Sequence, residues 1–295
     1  MTVKKARLII IILAALASVL FFLCVWLLID RCSGNGNISE NTGGFGNGLF
    51  SWHDEAFNED ERKVLFTLMK DRGLTELYQS VSKSIPASKI KDLAKSCEEN
   101  GVRLFLLVGE PEWALDENGS KLKEQIQRAA LIGCAGVVVD IEPGSTERWK
   151  KDRNSVMSTM TKAILNAKAS AEENGLEIIV CLAYYYDDYG FEKEIETIVE
   201  YGCDTLAIMN YNRRDEISQI KNEAALCKQY NKRLISIHEL QEVGKHELKE
   251  INTYRNVGLS ALQDSQVKIM AAFDDQKISF ALHEYGALKE MMELK

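Results

Sequence analysis

Short apolar runs alternate along this chain with stretches whose apolar residues recur every three to four positions, strand and helix periodicities in turn. Gly48 to Trp52 predicts a first strand, and Asn58 to Met69 predicts a helix with an Asn cap and acids in its first turn. Leu74 to Val81 follows as strand two. Pro86 to Asn100 reads as a helix closed by Gly101, and Val102 to Val108 as strand three. Ser120 to Ile132 is the next helix, and the run Val137-Val138-Val139 is strand four. A long helix is expected from Thr146 to Asn174, then strand five from Leu176 to Tyr184 and a helix from Phe191 to Tyr201. Asp204 to Tyr211, a helix from Asp215 to Tyr230, and Arg233 to His238 continue the alternation as strands six and seven. Ser260 to Phe273 and Ile278 to Leu282 supply the last helix and strand.

Eight such units over residues 48–295 predict an α/β fold, a (β/α)8 TIM barrel whose strands are buried on both faces. An open doubly wound sheet is the alternative. It is disfavoured because no Gly-rich phosphate loop follows the first strand.

The N-terminal segment obeys a different pattern. No charge interrupts Leu8 to Ile29, and at ~1.5 Å rise per residue this run reaches about 33 Å, enough for a bilayer core. Lys4, Lys5 and Arg7 precede it. Residues 1–30 therefore read as a cytoplasmic stub and single transmembrane signal anchor, with the N-terminus in the cytoplasm and the barrel domain extracytoplasmic at the cell membrane. Val25-Trp26-Leu27-Leu28 offers no small-residue site for cleavage. Residues 31–47, rich in Gly, Asn and Ser, read as a flexible linker.

The net charge of -8 argues against a nucleic-acid partner, because the basic residues are interspersed with acids. Seven cysteines form no CxxC pair and no metal-ligand spacing, so neither a disulfide framework nor a metal is expected. His53 and His238 raise a metal reading with Asp54 or Asp140, but no HxH or HExxH pair accompanies them. No cofactor is expected.

A barrel places its chemistry at the C-terminal ends of its strands. Strand four delivers Asp140 and Glu142 there, before a Pro-Gly turn, and the period of two directs both carboxylates the same way. Neighbouring acids push each other's proton affinities apart, as a general acid with a supporting carboxylate requires. The plain alternative is a carboxylate bound by loop N–H groups or a salt bridge. Other strand ends offer Trp52, Tyr78, Glu110, Tyr184, Tyr186, Asn210, Tyr211, Asn212 and Glu239, a mixture of rings, acids and amides. Sugar C–H faces stack on such rings and sugar hydroxyls bond such polar groups, so an oligosaccharide or polysaccharide partner is expected.

Two segments carry a resemblance to the family 18 glycoside hydrolases, the chitinase-like barrels. Their strand-four motif D-G-x-D-x-D-x-E is similar to Ala135-Gly136-Val137-Val138-Val139-Asp140-Ile141-Glu142, which matches at Gly136, Asp140 and Glu142. Their strand-six motif M-x-Y-D is similar to Met209-Asn210-Tyr211-Asn212, with Asn in place of the aspartate. The resemblance implies a glycoside hydrolase in which Glu142 protonates the glycosidic oxygen. It further implies that Asp140 orients a substrate acetamide and that Tyr211 bonds the acetamide carbonyl. Val138 stands where the family carries another aspartate. Two alternatives stay open: a retaining glycosidase using Glu142 and Glu239, and a membrane-tethered barrel that binds a glycan without cleaving it.

Overall fold

The computed structural model describes residues 46–293. Eight parallel strands close into a barrel in chain order: β1 (Gly46–Ser51), β2 (Glu76–Ser80), β3 (Arg103–Val108), β4 (Gly136–Val139), β5 (Glu177–Ala183), β6 (Thr205–Met209), β7 (Arg233–Glu239) and β8 (Ile278–His283). Closure is made by β1 pairing with β8, where Leu49 lies opposite Leu282. The barrel expected from the alternation is the observed fold, and its first strand begins two positions earlier than the pattern indicated, at Gly46 rather than Gly48.

Strands form where apolar residues run without interruption because both faces are covered. Val137, Val138 and Val139 are all buried, and each fully buried aliphatic side chain contributes roughly 1.5–3 kcal/mol. Outside the barrel, the helices present one apolar stripe inward. Glu59–Asp71 buries Leu65, Phe66, Leu68 and Met69, and the Asn58 side chain accepts from the Asp60 and Glu61 N–H groups as its cap.

Three expected helices are altered. The Thr146–Asn174 run is broken into Glu147–Lys151 and Arg153–Glu173 by Asp152, whose backbone leaves the helical region and whose side chain caps the Ser155 N–H. The Asp215–Tyr230 run is broken at Ile220 into Glu216–Gln219 and Lys221–Gln229. Phe191–Tyr201 is a short helix, Glu192–Thr197, followed by a wider turn over Ile198–Gly202. An additional helix, Tyr285–Glu293, follows β8 and packs against β1 and β8.

The lower barrel interior corrects one expectation directly. Tyr78 does not reach the mouth: it lies at the middle of β2, fully buried between the rings of Phe50 and Phe105. Its hydroxyl donates to Glu76 Oε2 at 2.6 Å. Glu76 also accepts from Arg103 at 3.0 Å and from both terminal nitrogens of Arg233 at 3.0 and 2.9 Å, so this end of the barrel is closed by an ion cluster. Gly48 is required here, since a Cβ on it would come within 2.5 Å of the Tyr78 ring. Strand two, expected over Leu74 to Val81, spans Glu76–Ser80, so Tyr78 stands in mid-strand with its ring in the barrel interior rather than at the strand's end.

Cys97, Cys134, Cys181, Cys203 and Cys227 are buried free thiols. The uncharged run Leu8 to Ile29 and the linker lie outside the described residues. Among the described residues no helix is long and apolar enough to cross a membrane.

Candidate active site

A cavity of about 520 Å³ opens at the C-terminal ends of the strands. Trp52 and His53 enter it after β1, Asp140 and Glu142 after β4, and Tyr184 and Tyr185 after β5. Met209 and Tyr211 come from β6 and the residues after it. Glu239, Gln241, His246 and Leu248 come from β7 and its following loop, and His283 is the last residue of β8.

The backbone fixes the position of the acid pair. Asp140 N–H donates to the Val108 carbonyl at 2.8 Å, extending the ladder between β3 and β4 by one residue beyond the last assigned pair. The chain passes Gly109 so closely that a Cβ there would lie 1.8 Å from the Asp140 carbonyl oxygen. A methyl group at this position has to push the end of β4 aside. Gly109→Ala is expected to destabilise the fold by about 1–3 kcal/mol and to displace Asp140. Urea unfolding of the full chain checks the first effect, and unchanged stability would show that the strand end yields freely.

Asp140 is buried and Glu142 is exposed. Burial first, and then the neighbouring charge of Glu142, push the Asp140 carboxyl from 3.8 up to about 7, with His283 pulling the other way. Its Oδ1 has no hydrogen-bond partner. Among the described residues, no lysine or arginine lines the cavity. Burial, and after it the charges of Glu239, Asp140 and Glu142, raise the Tyr211 phenol well above its ordinary value, so it stands as a hydroxyl donor.

A second constellation braces the opposite wall. The Trp52 indole N–H donates to His283 Nε2 at 2.8 Å, and His283 Nδ1 lies 2.8 Å from Glu239 Oε2. Indole is a donor only, so Nε2 must present a lone pair and the ring proton sits on Nδ1, facing Glu239. The other oxygen of Glu239 accepts from the N–H groups of Leu240 and Gln241 at 2.9 and 2.8 Å. Burial opposes an imidazolium at His283, but the hydrogen bond and charge of Glu239 outweigh it and the pKa lies above the ordinary histidine value. Adding that proton at Nε2 nevertheless sets two N–H groups against each other and breaks the Trp52 bond.

Six of the eleven site residues expected from the sequence meet at this cavity: Asp140, Glu142, Tyr211, Trp52, Tyr184 and Glu239. The remaining five do not. Besides Tyr78, Tyr186 is buried against Trp149 and Phe191, with ring centroids 5.7 and 6.2 Å away. Strand alternation stops at Ala183, where a turn begins, so Tyr185 reaches the cavity in its place. Asn210 is buried and donates to the Glu216 carbonyl and to Ser236 Oγ, both at 3.0 Å, bracing the loop after β6. Asn212 shapes the same turn, its side chain accepting from the Arg214 N–H. Glu110 is exposed, at the start of the turn Pro111–Leu115.

His238 also lies away from the mouth. It is fully buried between the Tyr254 and Phe280 rings, with Nδ1 3.2 Å from a Glu216 oxygen. His283 was legible in the sequence only as a residue following strand eight. Gln241, His246 and Leu248 sit in the long connection after β7, which carries neither strand nor helix periodicity and so gave no signal.

Fold and site together define a (β/α)8 barrel with an acidic mouth walled by aromatic rings. No family model matches the chain, and no curated protein matches its sequence. Solved structures do share the fold. The chitinase from Chromobacterium violaceum ATCC 12472 superposes with a TM-score of 0.53 at 11% identity, covering 84% of this chain and 98% of that one. The spore cortex-lytic enzyme SleL of Bacillus megaterium QM B1551 gives 0.52 at 13% identity over 85% and 73%. A Toxoplasma gondii ME49 barrel proposed to be a deoxyribose-phosphate aldolase gives 0.56 at 13% identity over 86% and 94%. At these identities the likeness is one of fold, and the chemistry has to be argued from the cavity itself.

Proposed function

We propose that this barrel hydrolyses glycosidic bonds in a polysaccharide, with Glu142 as the general acid. The observation that carries the reading is the placement of the Asp140/Glu142 pair. Both carboxylates line one cavity at the strand ends among aromatic rings, one buried beneath and the other exposed where a sugar enters. Glu142 donates a proton to the departing glycosidic oxygen, water adds to the anomeric carbon, the proton that this water releases returns to the Glu142 carboxylate, and Asp140 orients the sugar beside it. Trp52, Tyr184 and Tyr185 supply ring faces for the sugar, and the Tyr211 hydroxyl donates to an acceptor on it. The chitinase and SleL barrels lend support as fold analogy.

The retaining alternative, with Glu239 as nucleophile, is less well supported. Glu239 lines the cavity, yet both of its oxygens are engaged by three hydrogen bonds, so attack would require releasing His283. Glu239 acts instead to position His283 and, through it, Trp52. The uncharged run Leu8 to Ile29, with Lys4, Lys5 and Arg7 before it, supports a single-pass anchor that holds the barrel outside the cytoplasm, within reach of cell-wall glycans.

Incubation of the chain with peptidoglycan and with β-1,4-linked amino-sugar oligomers tests the activity. New reducing ends are expected. Saturable binding with no new reducing ends would replace the hydrolase by the glycan-binding reading.

A further inference from the structure

Three side chains of the cavity wall form one hydrogen-bonded series across β7, β8 and β1. It starts on the backbone, where the Leu240 and Gln241 N–H groups hold one oxygen of Glu239 at 2.9 and 2.8 Å. The other oxygen faces His283 Nδ1 at 2.8 Å, and His283 Nε2 accepts the indole N–H of Trp52 at 2.8 Å. Each link sets the direction of the next. The Glu239 side chain is 3% exposed and that of His283 16%, so water is poorly placed to substitute for either partner. Tyr184 and Tyr185, by contrast, pack ring against ring with centroids 5.4 Å apart.

The series holds in one protonation state only. Nδ1 of His283 donates to Glu239 and Nε2 accepts from Trp52, so a second proton, at Nε2, turns the indole away. The groups that face the ring favour that second proton. Glu239 reaches it from β7, Asp140 from the end of β4 and Glu284 from the next position in the chain, while the Phe50 ring on β1 and the Tyr211 ring after β6 lie 5.6 and 6.2 Å away. The other titratable groups on the cavity wall are Glu142, His53, His246, Tyr184 and Tyr185. Burial opposes a charge on His283, and the bond and charge of Glu239, with the charges of Asp140 and Glu284 added, outweigh it. A histidine whose proton affinity rises on folding contributes its stability at low pH, so acid spares this part of the fold while it breaks the tie to Trp52.

We infer that Glu239 and His283 are positioning residues for Trp52, and that the cavity grips its glycan fully only while His283 is neutral. The inference rests on the reading of this cavity as a glycan site and adds a control on that site's affinity. A sugar stacks best on an indole face that is already held at one angle, and here the His283 bond sets the angle. Glu142 and its proton take no part in the series. Release of Trp52 therefore weakens binding and leaves bond breaking alone, which reads as a rise in KM with kcat retained.

The test follows the indole N–H resonance of Trp52 in the full chain by proton–nitrogen NMR, the signal being the one that Trp52→Phe removes. It is expected to move as pH falls, with a midpoint above the ordinary histidine value. In Glu239→Gln the amide oxygen keeps the Leu240 and Gln241 N–H groups and its NH2 faces Nδ1, which forces the ring proton onto Nε2, so the resonance is expected at its acid position at every pH. With a β-1,4-linked amino-sugar oligomer at about pH 8, Glu239→Gln is expected to raise the calorimetric Kd and KM about tenfold and to hold kcat within about threefold. In a Trp52→Phe background the same change should add less than about twofold, because the group it acts through is gone. Asp140 titrates in the same range in both chains, so the loss of affinity on acidification that belongs to His283 is the part that Glu239→Gln abolishes. An indole resonance indifferent to pH, equal affinity of wild type and Glu239→Gln, or effects that multiply in the double variant each overturn the inference, and cleavage by wild type then leaves the hydrolase reading standing. A titrating resonance with no oligomer bound or cleaved by any chain overturns the glycan reading and this inference with it.

Discussion

Replacing Glu142 by Gln is expected to lower glycan turnover by about 10²–10⁴-fold while leaving the fold and the affinity for the glycan nearly unchanged. The side chain is exposed, so its replacement by an amide of the same shape should alter stability by no more than about 0.5 kcal/mol. What the variant loses is the proton for the departing oxygen, an interaction made only as the bond breaks. The expected signature is therefore a fall in kcat with KM retained. Reducing-end assays on wild type and variant, paired with calorimetric binding, separate the two quantities. Equal turnover by both chains would remove Glu142 from the chemistry, and a loss of binding equal to the loss of turnover would make it a substrate contact only.

The second large effect is on stability and has a definite dependence on pH. Asp140 titrates near 3.8 when the chain is unfolded and at about 7 when folded, chiefly through burial. Between these values the folded chain holds a proton that the unfolded chain has released. This group's contribution to stability is therefore fully present below about pH 4, declines as pH rises toward 7, and is absent above, a difference on the order of 4 kcal/mol.

Asn cannot ionise, so Asp140→Asn is expected to flatten this part of the profile and to raise stability at pH 8 by roughly 2–4 kcal/mol, with activity lost in exchange. Glu223, buried in the helix Lys221–Gln229, is also pushed up to about 7, chiefly by burial, and adds a similar slope to both chains. The informative quantity is accordingly the difference between the two chains in urea unfolding at pH 5 and pH 8. A variant as sensitive to pH as wild type would place the titration in Glu223 or elsewhere.

Local pattern decided which parts of the site could be read from the chain. The acid pair was legible because an uninterrupted valine run announces a strand covered on both faces, and a Pro-Gly turn marks its end. Tyr185 was passed over for Tyr186 because alternation was extended past Ala183, whereas the Tyr186 N–H already bonds the Ala183 carbonyl in a turn. Asn210 and Asn212 sit beside Tyr211 in sequence, yet the Asn210 amide nitrogen and the Asn212 side-chain oxygen brace the loop after β6, a role that depends on Glu216, Ser236 and Arg214 being folded back against them.

By itself the sequence determined the eight parallel strands, their order and the end of β4 that carries Asp140 and Glu142. These follow from periodicity and turn residues, which act over a few neighbours and leave a local trace. Only the tertiary structure decided that Trp52 donates to His283 across 231 positions of chain, that Glu239 is committed to that histidine, and that one oxygen of Asp140 is buried without a partner. Those partnerships arise from the strand pairing that sets β8 between β7 and, across the barrel's closure, β1. The pairing of two distant strands fixes side-chain contacts that no local pattern encodes.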